Sequence, residues 1–310
     1  MPSIQPPRYG VYTPMVTFFH ENEDIDYDSI TQHVQRLLGS GVAGLVVHGS
    51  NGEATHLLRE ERAQIIRHVR TVASKDYPEA VIIAGCSANS VRETLLNISE
   101  AEKAGANYAL VLPPSYWSAA MSKPVIRGFY AEVASKSALP IVIYNFPGVT
   151  SNIDLDSDLI IDLARSYPQI VGVKLTCGNL GKLQRLSASF AASEFAPFAG
   201  KSDFLLPGLT AGSNGVIAAL ANVVPKVHVK AIQLYQSGEF EKAQEIQRKL
   251  SVADWALLKL GISGVKAAST KFFGYGSSQP RKPLPRAEVG AIQGEILDAL
   301  QVMVDLEKQL

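Results

Sequence analysis

One lysine stands in the apolar run Gln169-Ile170-Val171-Gly172-Val173-Lys174-Leu175-Thr176. Lysine is almost never fully buried unless it is paired or put to use. An amine held among apolar neighbours gives up its charge more readily, so a neutral nucleophile becomes available near neutral pH. Attack on a ketone to form a Schiff base needs that nucleophile. The plainer alternative is a lysine at the end of a strand, reaching water along its own methylene stem. The choice between them depends on what ends beside Lys174.

Four other stretches carry groups able to work with such an amine. Ser50 and Asn51 lie between Gly49 and Gly52, and with the backbone N–H groups of a turn there they can bind a carboxylate as a nest does. The same residues also suit an ordinary strand-to-helix loop. Tyr144 closes the run PIVIY and can relay a proton to and from a carbinolamine and a breaking C–C bond, if it lies within hydrogen-bond reach. Its alternative is a core tyrosine with a satisfied hydroxyl. Tyr116, in PPSYW, reads as a second tyrosine of the site or as part of a stacked aromatic loop, and Thr176 shares a strand with Lys174. His48, in an apolar run, reads as a satisfied packing histidine.

The sequence contains no HxH or ExxH grouping. Asp203 and Glu53 read as lone carboxylates on separate loops, and Glu53 fits the first turn of a helix, where the macrodipole favours negative charge. No metal is expected, and imine chemistry calls for no external cofactor.

These groups must be positioned by something, and the hydrophobic pattern names it. Apolar strands are expected at Val11–Phe18, Gly44–His48, Ala80–Ala84, Tyr108–Leu112, Pro140–Tyr144, Ile170–Leu175, Phe195–Ala199 and Gly215–Leu220. Helical spacing alternates with them at Tyr27–Leu38, Glu60–Val72, Ser90–Ala104, Lys123–Ser135, Asp156–Ser166, Asn179–Ser189 and Asp203–Leu209. Continuous apolar runs mean strands buried on both faces, hence parallel. Eight of them argue for a closed (β/α)8 TIM barrel rather than an open sheet, and no GxGxxG follows any strand. Barrel chemistry collects at the C-terminal strand ends, where Ser50, Tyr116, Tyr144 and Lys174 all fall. Beyond Leu220 the pattern gives helices near Val227–Gln236, Phe240–Leu260 and Pro285–Leu306, the last two joined through a Gly/Ser/Pro-rich stretch, Gly274 to Pro285. The expected organisation is a catalytic barrel over 1–224, then its last helix and a C-terminal α-helical extension over 225–310.

Composition narrows the ligand. The chain has 310 residues, 46% hydrophobic, with Lys+Arg 29 against Asp+Glu 29, enough for a large core and without net charge. No basic run suggests a nucleic acid and no apolar run suggests a membrane span, so a small metabolite is expected. Cys86 and Cys177 lack CxxC spacing, which suggests a reducing compartment. The Pro-rich Met1–Tyr9 stretch has neither an apolar h-region nor an Arg/Ser-rich amphipathic pattern, so the expected location is the cytoplasm.

The segments YTPMVTFF, GSNGEATHLLREER, IVIYNFPGVT, IVGVKLTCGNL, FAGKSDFLL and GVIAALANV together resemble the dihydrodipicolinate synthase / N-acetylneuraminate lyase superfamily of Schiff-base pyruvate aldolases. The resemblance implies Lys174 as the imine lysine and Tyr144 as the proton relay. It implies Ser50 and Asn51 as the keto-acid carboxylate loop, and Gly200 and Ile217 as backbone positions lining the pocket. It implies Tyr116 as a tyrosine handed across a dimer interface, within a homotetramer built as a dimer of dimers. Where the lysine-biosynthetic synthases carry an arginine for the aldehyde's carboxylate, this chain has Val149. Ser50-Asn51 in place of Thr-Thr is similar to 4-hydroxy-2-oxoglutarate aldolases and to fungal 2-keto-3-deoxy sugar-acid aldolases. The residue after the lysine, usually acidic, is Leu175. The expected reaction is therefore cleavage of such a keto acid to pyruvate and an aldehyde. Dihydrodipicolinate synthesis from pyruvate and aspartate semialdehyde is the alternative. A non-catalytic metabolite-binding barrel is the alternative from another class.

Overall fold

A computed structural model of the chain describes residues 4–310, so the first three residues of the Pro-rich N-terminal stretch lie outside it. The repeat begins with β1 (Gly10–Pro14) and α1 (Tyr27–Leu38), then β2 (Gly44–Val47) and α2 (Arg59–Asp76). It continues through β3 (Val81–Gly85), α3 (Val91–Lys103), β4 (Tyr108–Val111) and α4 (Lys123–Lys136). Next come β5 (Ile141–Asn145), α5 (Ser157–Ser166), β6 (Ile170–Leu175) and α6 (Leu180–Ser189). The last repeats are β7 (Ala196–Ala199), α7 (Leu205–Thr210), β8 (Gly215–Ile217) and α8 (Pro225–Gln236). Every strand pairs in parallel with its neighbours, and β8 returns to β1, so the chain is an eight-stranded closed barrel.

Strand periodicity divides the apolar residues into two cores. Tyr12, Val46, Ile83, Leu110, Val142, Tyr144, Phe198 and Ile217 fill the barrel interior. Their sequence neighbours, such as Ile141, Ile143, Val173 and Leu175, pack outward beneath the helices. The seam between β1 and β8 requires glycine. Gly215 has φ +118° and a Cβ there would lie 1.9 Å from the Gly10 carbonyl oxygen, so a side chain would force the barrel open.

Three helices follow the barrel: α9 (Phe240–Leu258), α10 (Gly261–Phe273) and α11 (Gly294–Gln309). The apolar pattern predicts only two after the last barrel helix. The segment of α10 opens with Gly261 and contains Gly264, residues that read as breakers. Gly261, at φ +61°, turns the chain sharply after α9, and a new helix starts at once. The outer strands are also shorter than their apolar runs. β1 ends at Pro14, while Met15 to Phe19 stay buried as irregular chain. After β8 the apolar residues continue into a 3₁₀ turn, Ala219–Asn222. Among the described residues no helix is long and apolar enough to cross a membrane.

Candidate active site

The register of β5 against β6 decides the centre of the site. Tyr144 and Lys174 are direct partners across these strands, and parallel neighbours send paired side chains to the same face. Both therefore enter the barrel's C-terminal mouth. Lys174 is 2% exposed; its Nζ donates to the Tyr144 hydroxyl at 3.1 Å and lies 4.2 Å from the centre of that ring. The snorkelling alternative does not hold for this lysine. Asn145, the next residue of β5, fixes the strand's end: its amide donates to Asp154 at 2.7 Å and its Oδ1 accepts from Leu155 N at 2.9 Å.

Ser50 and Asn51 sit in a 3₁₀ turn, Ser50–Gly52, directly after β2. The turn is closed by Glu53 N donating to the Ser50 carbonyl at 3.1 Å and anchored by Thr17 Oγ1 donating to the Gly52 carbonyl at 2.9 Å. It brings Ser50 Oγ to 3.4 Å from the Tyr144 hydroxyl, so serine, tyrosine and lysine form a short chain of polar atoms. Gly49, expected to open this turn, has an ordinary φ of −70°; the left-handed residues are His48 (φ 61°) and Glu53 (φ 55°). A Cβ on Gly49 would meet only van der Waals contacts, so the backbone there does not demand glycine.

Thr176, Gly200 and Ile217 complete the pocket on the far side. Together with Ser50, Asn51, Tyr144 and Lys174 they line a cavity of about 250 Å³. Thr176 Oγ1 is buried and lacks a hydrogen-bond partner, which leaves it for a bound molecule. Gly200 is needed for close approach, since a Cβ there would lie 2.5 Å from Thr176 Oγ1 and 2.6 Å from the Leu175 carbonyl. A second cavity of about 410 Å³ adjoins the first. It is lined by Gly49, Ser87, Asn89 and Leu112, and it shares Ser50, Tyr144 and Val149 with its neighbour.

The helical extension supplies the rest of the wall. Leu257, Leu258, Ile262 and Val265 cover the mouth from α9 and α10. Asp254 of α9 also faces the first cavity, and Asp203 is not the lone carboxylate its loop suggested. The Asp203 amide donates to Asp254 Oδ2 at 3.4 Å. Burial, then the nearby Asp203 charge, pushes Asp254 up to about 7, and burial raises Asp203 as well. Asp254 therefore gives up its proton only near neutral pH, and Lys201 lines the same cavity. A single aspartate in an amphipathic pattern looks like any solvated helix residue, so no local signal marked Asp254.

Two other expectations change, those for His48 and Glu53, and Tyr116 stands apart from its own chain's site. Tyr116 lines neither cavity: its ring is 75% exposed and stacks edge-on to Trp117. Only its backbone is held, with Ser115 N and Tyr116 N donating to Asn89 Oδ1 at 3.0 and 3.1 Å. His48 is buried as expected but not satisfied, because neither ring nitrogen has a partner. Burial, with the Arg62 guanidinium adding to it, holds that imidazole well below its usual range. Glu53 is not in a helix's first turn. It stands between two 3₁₀ turns, fully buried, and its Oε1 accepts from Lys266 of α10 at 2.7 Å. Among the described residues no group of three or more His, Cys, Asp or Glu side chains is placed to hold a metal ion.

Comparison with known proteins identifies the family. Residues 8–300 match the model of the "Dihydrodipicolinate synthetase family". A relative from Emericella nidulans, named "Probable 4-hydroxy-2-oxoglutarate aldolase, mitochondrial", is 44% identical over 97% of this chain and 96% of its own. The "L-threo-3-deoxy-hexylosonate aldolase" of Hypocrea jecorina is 43% identical over 94% of this chain and 96% of its own. A solved prophage protein of the family from E. coli K12, in complex with pyruvate, superposes with a TM-score of 0.83 at 25% identity. It covers 97% of this chain and 98% of its own. The mitochondrial name of the Emericella relative overturns the expectation of a cytoplasmic protein. Two cysteines without CxxC spacing do not single out one compartment. The residue pattern, the closed barrel and the full-length matches agree: the chain belongs to the dihydrodipicolinate synthetase family.

Proposed function

We propose that the protein is a pyruvate-dependent class I aldolase cleaving a 2-keto-3-deoxy sugar acid or 4-hydroxy-2-oxoglutarate. The observation that carries this reading is the buried Lys174 Nζ, 3.1 Å from the Tyr144 hydroxyl in a cavity at the barrel's C-terminal mouth. Lys174 Nζ attacks C2 of the keto acid, and the carbinolamine loses water to give a protonated imine. The C3–C4 bond then breaks, its electron pair moving into the imine to form an enamine. Tyr144 takes the proton of the C4 hydroxyl as the aldehyde leaves, and Ser50 Oγ lies beside it to pass that proton on. Protonation of the enamine at C3 and hydrolysis of the imine release pyruvate and restore the amine. The C1 carboxylate rests on the Ser50-Asn51 turn beside Gly49, while Thr176, Gly200 and Ile217 shape the opposite wall.

The substrate's tail meets Thr176, Lys201 and Asp254, a mixed set of donors and acceptors suited to hydroxyl groups, with apolar residues around them. At the position where the synthases carry an arginine stands Val149, which lines both cavities and cannot replace that guanidinium, so a terminal carboxylate such as that of 4-hydroxy-2-oxoglutarate is left to Lys201, which lines the first cavity. Condensation of pyruvate with aspartate semialdehyde is accordingly disfavoured. A kinetic panel decides: kcat/KM for 2-keto-3-deoxy sugar acids or 4-hydroxy-2-oxoglutarate should exceed that for the condensation by about 100-fold or more, the scale of a lost bidentate contact. Faster condensation would reverse the assignment.

Tyr116 enters this reading across a subunit interface, in a homotetramer built as a dimer of dimers. Its 75% exposed ring, and the exposed Val252, Trp255 and Leu258 on α9, support association through those faces. Light scattering on the purified protein should return four times the chain mass of 33.4 kDa. An active monomer would remove Tyr116 from the mechanism.

A further inference from the structure

We infer that the Lys266–Glu53 ion pair is a positioning device that holds the Ser50-Asn51 turn in register for the keto acid's carboxylate, an inference that rests on the role proposed above for that turn. Glu53 is the residue that closes the turn, and it does so in the left-handed region, at φ 55° and ψ 38°. For a residue with a side chain that conformation is unfavourable and persists only where the surroundings hold it.

The surroundings do so from four directions. Lys266 donates to Glu53 Oε1 at 2.7 Å and to the Gln279 carbonyl at 2.6 Å, and both charged side chains are 0% exposed. The Arg281 backbone N–H donates to Glu53 Oε2 at 2.8 Å. The Arg281 guanidinium pairs with Glu61 of α2 and donates to the His56 carbonyl at 3.0 Å, on the same loop as the turn. Phe19 lies beneath, its ring centre 4.4 Å from Lys266 Nζ and 4.8 Å from Arg281 Cζ. Helix α10 and the segment after it are thereby tied to the turn carrying Ser50, whose Oγ reaches Tyr144.

Stability alone does not account for this arrangement. A buried ion pair recovers its desolvation cost only with excellent geometry, and well-packed apolar residues often do as well. What such a pair supplies, and apolar residues do not, is one defined placement of the backbone it holds. The charged groups facing Lys266 are Glu53 and Arg281, with Glu61 beyond Arg281. Burial, only partly offset by Glu53, pushes Lys266 down to about 8. The clamp is therefore intact below pH 8 and loosens as pH rises through that value.

The test is borohydride trapping of pyruvate on Lys174, followed by intact mass over a range of pyruvate concentrations at pH 7. Wild type, Glu53→Gln, Lys266→Met and the double variant are compared. The half-saturating pyruvate concentration should rise about tenfold in each single variant while the maximal trapping rate stays within about threefold, and the double should be no worse than either single. A pair that only stabilises the fold would lower the amount of trappable protein and leave half-saturation unmoved, which overturns the inference. Should Lys266→Met not fold, the nearly isosteric Glu53→Gln carries the same test. Adduct in the wild type with unchanged half-saturation in Glu53→Gln overturns the positioning role alone. No adduct in the wild type overturns the Schiff-base reading and this inference with it.

Discussion

Lys174→Ala should form no reducible adduct with pyruvate and should turn over its keto acid at least about 10³-fold more slowly than the wild type, the scale on which removal of a covalent nucleophile acts. The loss concerns kcat, since the carboxylate turn and the pocket walls remain. Lys201 lines the same cavity and is the amine able to give a misleading adduct. Peptide mapping of the trapped protein separates the two, with the pyruvyl mass expected on the peptide containing Lys174. Near-normal turnover by Lys174→Ala would mean that the barrel hosts another chemistry.

Tyr144→Phe should lower kcat by about 10² to 10⁴, the range for loss of a positioned proton-transfer group, with KM changed little. The substitution keeps the ring over which Lys174 Nζ lies at 4.2 Å and removes only the hydroxyl. That hydroxyl accepts from Lys174 at 3.1 Å and stands 3.4 Å from Ser50 Oγ, so its removal breaks the relay between amine and solvent side. Imine formation should persist at a reduced rate, visible as slower borohydride trapping, while C–C cleavage suffers most. A single-turnover experiment that follows adduct and aldehyde separately tells the two steps apart. Equal rates for Tyr144→Phe and wild type would return Tyr144 to the rank of a core tyrosine.

The two residues of largest expected effect are also the two that were most legible. Lys174 is a charged residue in an unbroken apolar run, and Tyr144 is the terminal residue of another. In a parallel barrel the ends of such runs are where the chain can leave a polar group facing a cavity without breaking the core. His48 shows the limit of that reasoning. The same pattern marked it as buried, yet only coordinates reveal that both its nitrogens lack partners. Tyr116 shows another limit, since one chain's fold leaves its ring in solvent and only assembly can bring it to a site.

What the sequence determined by itself was the repeat of eight two-sided apolar strands, the helices between them, and the strand ends at which the reactive groups stand. These follow from local periodicity, because each element's burial is written into its own residues. The tertiary structure alone decided which groups meet. The register of β5 on β6 sets Tyr144 opposite Lys174, since a one-residue slip would turn either side chain to the outer face. Lys266 finds Glu53 across 213 residues, and it does so from α10, a helix whose two glycines concealed it. Asp254 finds Asp203 in the same way, from a helix face that reads as solvated. Lys266 is buried against a distant carboxylate that compensates its charge, and Asp254 where burial favours its proton, and no local pattern records either setting.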